Sequence, residues 1–287
     1  MSAGHGTDAA GEPGGAPLTF SPLAFSEHGD PGAPTIVLLH AFPLASRIFR
    51  RLVPLLTAWH VLAVDLPGLG ASEVPEVEPS MDEVAARVLA TMDAADVEAA
   101  TLLGVSTGGY AALAVAALAP ARVRALVLGS TSTGVGAPDD PAQRREVAGR
   151  LRATGTIEPV TDSVDEALGA TARTEQPELV TEVAEMIAGT SPRGAAWMAD
   201  AIASRPPRAD TLRGFDGAVL ILFGEEDVAT PPDRELPAML EARRGHERTR
   251  AARLPRTGHL TVLEQPVMVA GELGWVRDQV AGPVRRG

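Results

Sequence analysis

The chain has 287 residues, of which 45% are hydrophobic and 22% charged, a balance that suits one large α/β domain or a core domain with an insertion. A formal charge of −12 sets aside nucleic acid and anionic membrane as partners. There is no cysteine and all 25 basic residues are arginine, so disulfides, thiol nucleophiles, thiolate metal sites, Schiff-base lysines and Ser–Lys dyads are excluded.

Residues 1–17 are rich in Gly, Ala and Pro, acidic rather than basic, and lack an apolar centre; the expectation is a disordered tail, not a signal peptide. With no apolar run of membrane-spanning length, a cytoplasmic protein is expected. A buried parallel strand is predicted at 34–40 (PTIVLLH), a helix at 46–57 and a second buried strand at 59–65 (WHVLAVD). Ser80 opens a helix to about residue 95, with Glu83 completing a capping box. Strands follow at 99–105 and 123–129, separated by a small-residue helix at 107–119. From about 133 to 207 the chain carries polar, Ala/Glu-rich helical stretches without a buried-strand signature. That signature returns at 217–223 (GAVLILF) and at 247–254, before a C-terminal helix. Strands alternating with helices imply a mostly parallel, doubly wound sheet. The expected division is a core formed by 18–132 and 208–281, with a helical cap at 133–207.

Gly104-Val105-Ser106-Thr107-Gly108 lies where a strand gives way to a helix. A serine on so sharp a turn has a strained backbone and needs small neighbours two residues away on either side, which Gly104 and Gly108 supply. The turn exposes the hydroxyl and places it at a helix N-terminus, where backbone N–H groups stabilise negative charge. A serine hydroxyl also needs a base. Among six histidines, His5 is in the tail, His28 precedes the first core strand, His60 begins a buried strand and His246 sits in a polar segment. His259 follows the last strand in Thr257-Gly258-His259-Leu260, where parallel sheets place their chemistry. The orienting carboxylate is expected at Asp227, just past the strand ending near Gly224, with Glu225 and Glu226 as close competitors and Asp233 as a remote one. Ser, Asp and His occur in the chain order of α/β-hydrolases.

These segments, together with His40-Ala41-Phe42-Pro43 and Asp65-Leu66-Pro67-Gly68-Leu69-Gly70, resemble the α/β-hydrolase superfamily from Pro34 to Val276, insertion aside. Within it the chain is most similar to the small esterase, enol-lactonase and cofactor-free perhydrolase group. The segment Thr190-Ser191-Pro192-Arg193-Gly194 with Trp197 is similar to that of 3-oxoadipate enol-lactonases. The resemblance implies an α/β-hydrolase fold with a helical cap, and an oxyanion hole formed by the backbone N–H groups of Phe42 and Thr107. It makes His40 a structural turn residue and Asp65 a loop residue, and it implies no metal and no cofactor.

The expected activity is cleavage of a small-molecule carboxylic ester or lactone through an acyl-enzyme. Acyl transfer, perhydrolysis or elimination by the same residues stays open, as does a non-catalytic ligand-binding role. A carboxylate at the elbow, needed for a dehalogenase or epoxide hydrolase, is absent. The candidate pocket residues are Phe42, Leu44, Val135, Met186, Trp197 and Met198, and Arg193, Arg205 and Arg208 are candidate contacts for a substrate carboxylate.

Overall fold

The computed structural model describes residues 20–134 and 140–281, so the tail expectation for 1–17 and the pocket candidate Val135 lie outside the described residues. Seven strands form one sheet: β1 (Phe25–His28), β2 (Thr35–Leu39), β3 (His60–Val64), β4 (Ala100–Val105), β5 (Val123–Gly129), β6 (Ala218–Gly224) and β7 (Thr249–Leu254). Their order across the sheet is β1-β3-β2-β4-β5-β6-β7. Every neighbouring pair is parallel except β1 with β3. Buried on both faces, β2 to β6 divide their side chains evenly. Ile36 and Leu38 pack into one layer while Val37 and Leu39 pack into the other, as do Ala125 and Val127 against Leu126 and Leu128.

One layer is covered by α1 (Met81–Ala94) and α2 (Thr107–Leu118). Ser80 caps α1 by accepting the Glu83 N–H at 3.0 Å. The Glu83 carboxylate instead accepts from Arg87 at 2.7 Å, so only half of the expected box is present. Between residues 140 and 205 the described chain makes the α-helices of the insertion: α3 (Pro141–Thr154), α4 (Ser163–Ala167), α5 (Ala170–Glu175), α6 (Pro177–Ala188) and α7 (Pro192–Ser204). The core then resumes with α8 (Ala209–Gly214), α9 (Pro232–Ala242), α10 (Thr261–Glu264) and α11 (Pro266–Val280).

Two expectations are corrected. The helix at 46–57 is two 3₁₀ turns, Ser46–Phe49 and Val53–Leu55. Pro54 removes an amide donor in mid-segment, and burial of Ile48, Phe49 and Leu52 is achieved without a full helix. Strand β1 was not expected, because its four residues are all exposed and lack an apolar pattern. It exists because its backbone pairs with β3 from Phe25 opposite Val64 to His28 opposite Val61.

The insertion is tied to the core by polar contacts. Arg50 bonds the carboxylate of Glu182, Arg51 donates to Gln176 at 2.9 Å, and the Thr190 hydroxyl donates to the Pro43 carbonyl at 2.8 Å. Among the described residues, no helix is long and apolar enough to cross a membrane.

Candidate active site

Ser106, Asp227 and His259 stand past the C-terminal ends of the parallel strands β4, β6 and β7, the edge where sheets of this kind place their chemistry. Ser106 follows β4 with φ 53° and ψ −116°, a conformation that a non-glycine residue adopts only when its surroundings enforce it. Those surroundings are specific. The Ser106 N–H donates to Gly129 O at 2.9 Å, extending the β4–β5 ladder, and Ser106 O accepts from the Thr131 hydroxyl at 2.8 Å. A Cβ on Gly104 would lie 2.2 Å from Gly108 O, and one on Gly108 would lie 2.0 Å from Leu39 O. Both glycines are required by backbone contact, which is why the elbow fits between β2 and β4.

The acid loop follows β6. Asp227, only 4% exposed, accepts the Thr230 N–H at 2.8 Å and the Thr230 hydroxyl at 2.7 Å, and both its oxygens lie 3.1 Å from His259 Nδ1. Burial pushes the Asp227 carboxyl up, but His259 and the two Thr230 donors outweigh it, and the net displacement is below the ordinary aspartate value. Asp227 is therefore held as the carboxylate. Its expected competitors serve elsewhere: Glu225 is exposed, Glu226 accepts from the Thr171 N–H and hydroxyl, and Asp233 pairs with Arg253.

Ser106 and His259 line one cavity of about 90 Å³ with Phe42, Leu44 and Thr107. Thr107 is the first residue of α2, where helical geometry leaves N–H groups without intrahelical acceptors, and Phe42 lies just past β2. A hydroxyl, an imidazole backed by a carboxylate, and two backbone segments able to offer N–H donors thus share one enclosed space. These are the parts needed for nucleophilic acyl chemistry.

The remaining pocket candidates are placed differently. Trp197 donates from Nε1 to Val77 O at 3.0 Å and packs, with Met198, in the layer that holds α1 and α2. Met186 is buried in the opposite layer beside Leu179 and Val183, and it is its neighbour Ile187 that reaches the cavity. None of the three lines the cavity. The alternation of apolar residues on α6 and α7 shows that a face is buried, and does not reveal which neighbour it is buried against.

The arginine candidates are corrected for the same reason. Arg205 stacks on the Tyr110 ring at 4.1 Å and donates to Ile202 O, Arg208 bonds Asp82, and Arg193 lines an outer groove with Arg152 and Trp197. The cavity arginine is Arg144, on α3, whose guanidinium lies 5.4 Å from the centre of the Phe42 ring. Sequence reading passed over it because Gln143-Arg144-Arg145-Glu146 resembles any solvated helix face. Glu166 and Ala167 of α4 complete that wall.

His40 is fully buried, bonds Ala41 O through Nδ1 at 3.0 Å and accepts the Leu66 N–H on Nε2 at 2.8 Å. Burial lowers its pKa, in keeping with a neutral ring that ties two loops. Asp65 plays the matching part, accepting from the Ser46 and Ala71 amides at 2.7 and 2.9 Å. Among the described residues no group of three or more His, Asp or Glu side chains is placed to hold a metal ion.

The α/β hydrolase fold family model matches residues 34–266, and the chain belongs to that family. In structure it is similar to a thermophilic esterase from Thermogutta terrifontis, with a TM-score of 0.83 and 27% identity over 90% of this chain and 94% of that one. An enol-lactonase from Burkholderia xenovorans shares the fold with a TM-score of 0.78, at 23% identity over 88% and 95% of the two chains. A curated relative, the 2-hydroxy-6-oxononadienedioate/2-hydroxy-6-oxononatrienedioate hydrolase of Cupriavidus pinatubonensis, is 40% identical over 109 residues, 36% of this chain and 38% of that protein. The aligned stretches span about a third of the length of the curated relatives matched first. The protein is thus an α/β hydrolase whose neighbours include esterases and an enol-lactonase.

Proposed function

We propose that this hydrolase cleaves a small-molecule carboxylic ester or lactone through an acyl-enzyme, with Ser106 as nucleophile, His259 as base and Asp227 as the carboxylate that orients it. The observation that carries the reading is the convergence of a strained Ser106 and an Asp227-bound His259 on one cavity. Ser106 Oγ attacks the carbonyl carbon while His259 Nε2 takes its proton. Asp227, on Nδ1, stabilises the imidazolium. The Phe42 and Thr107 amides receive the developing oxyanion, each such donor being worth about 10²–10³ in rate. The imidazolium then protonates the departing alkoxide. Water, deprotonated by His259, attacks the acyl carbon and releases Ser106 with the carboxylic acid.

The cavity of about 90 Å³ supports a short acyl group. The test is turnover of p-nitrophenyl esters of increasing acyl length by wild type and Ser106→Ala. Rapid Ser106-dependent hydrolysis of acetyl to butyryl esters is expected. A single stoichiometric burst without turnover would move the reading to acyl transfer, and equal rates in both proteins would end it.

A further inference from the structure

Three buried acids among the described residues have no part in the chemistry above: Asp65 ties two loops, Glu182 pairs with Arg50, and Glu264 is held by backbone alone. Glu264, 3% exposed, is the last residue of α10. Its Oε2 accepts the Gly258 N–H at 2.8 Å and the Gly169 N–H at 3.0 Å, and its Oε1 accepts the Leu260 N–H at 3.1 Å. Gly258 and Leu260 are the two residues flanking His259. Gly169 belongs to the turn of the insertion that joins α4 to α5. We propose that Glu264 is a positioning residue for His259: one carboxylate clasps the backbone on both sides of the base and fastens it to the insertion turn, so that the imidazole and the cavity wall on α4 are set together. The proposal rests on the reading of His259 as the base.

Three features favour this over ordinary turn capping. Burying a carboxylate is costly, and here three amide donors offset the cost. Burial still leaves its pKa above the usual glutamate value, partly countered by those amides and by the charge of His259. The junction is also closed by backbone. Leu260 N donates to Ala167 O at 3.1 Å, and a Cβ on Gly169 would lie 2.6 Å from Glu226 Oε2 and 2.8 Å from Gly258 N. Finally, Glu226, the residue before Asp227, holds Thr171 in the first turn of α5, just past Gly169. The loops of the acid and the base are thus latched to a single five-residue stretch, 167–171, whose first residue lines the cavity. A loop that needed only stability could use a neutral side chain; a loop whose imidazole must stay within about half an ångström of its working position needs fixed support.

The decisive variants of the full chain are Glu264→Gln and Gly169→Ala. The first keeps the shape of the side chain while facing at least one amide with an NH₂; the second keeps Glu264 and forces the turn away. Both are compared with wild type and Ser106→Ala for kcat, KM, the acid limb of kcat/KM, thermal unfolding midpoint and the low-field proton resonance of the His259 Nδ1–H. For each variant kcat falls about 10²-fold, the cost of roughly an ångström of misplacement, while KM stays within about twofold. In Glu264→Gln the acid limb also moves to lower pH, since an anion that favours the imidazolium is gone while the other charges facing His259 (Asp227, and Glu166 and Arg144 across the cavity) are unchanged. The low-field resonance shifts or broadens in both variants. Wild-type kcat per folded molecule with an unmoved resonance in either variant overturns the proposal, even where the melting point falls. If Glu264→Gln does not fold, Gly169→Ala decides. Absence of Ser106-dependent turnover in wild type defeats the esterase reading alone, because the resonance still reports whether Glu264 places the imidazole.

Discussion

The core and the insertion are built by the same chain under different rules, and they were not equally readable. In the core, β2 to β6 are buried on both faces, so each strand is a mostly apolar run whose ends mark the turns. The proposed nucleophile and acid follow β4 and β6, so locating those strands located the candidates. In the insertion, α6 buries Leu179, Val183 and Ile187 in one layer, whereas α7 divides its buried residues, with Ala195, Ala196 and Ala199 in that same layer and Trp197, Met198 and Ile202 in the other. A helix can present the same pattern to a substrate cavity, to the sheet or to another helix. The core therefore declares position through chain order, whereas the insertion acquires it only through tertiary packing.

The largest effects are expected where the core holds the chemistry. Ser106→Ala should lower kcat by about 10⁵-fold, roughly 7 kcal/mol, with KM little changed. Asp227→Asn should cost about 10⁴-fold by presenting a donor to Nδ1 and so favouring the wrong tautomer of His259. Steady-state kinetics on one short ester measures both. Equal modest losses at both positions would mean that the cavity is not the reaction site.

Next in size is the elbow itself. Gly108→Ala places a methyl 2.0 Å from the Leu39 carbonyl, backbone that cannot move without separating β2 from β4. A loss of about 3 kcal/mol or more in stability is expected by denaturant unfolding, in the range of severe core mutations. A small change there would show that the strand and elbow are looser than these contacts require.

The comparison also explains what was legible. Ser106, Asp227 and His259, the residues of the proposed triad, were legible as candidates because strand ends, two glycines and a chain order converge on them. The 3₁₀ turns at 46–57 were misread because Ile48, Phe49, Leu52 and Leu56 give a helical pattern that Pro54 interrupts. Strand β1 was missed because an edge strand held by backbone pairing needs no apolar side chains. Arg144 was passed over because a charged residue on a helix looks the same whether it faces water or the rim of a cavity. Glu264 left no signal at all, since its three backbone donors, one of them 95 positions away in the chain, cannot be read from one residue.

A cavity wall from the insertion should tune specificity rather than chemistry. Ile187→Ala widens the cavity, and relative kcat/KM for hexanoyl over acetyl esters should rise about tenfold or more, since one methylene in an apolar pocket is worth about 1–3 kcal/mol. An unchanged chain-length profile would place the acyl group elsewhere.

The smallest effects are expected at Met198 and Trp197, and they test the contrast between the regions most directly. Met198→Leu conserves volume in a fully buried site, so a stability change below about 1.5 kcal/mol is expected. Trp197→Phe removes the donor to Val77 O and should cost about 1 kcal/mol, the usual worth of one hydrogen bond. Both substitutions lie on a helix that follows the cavity wall in sequence, yet both side chains face the layer holding α1 and α2. Neither should move KM or the chain-length profile by more than about twofold, because packing on that side is separated from the cavity by the elements between. A shift in acyl preference at either position, comparable to that of Ile187→Ala, would show that α7 transmits its packing to the cavity. The insertion would then act as one body, and its two faces could not be treated as independent.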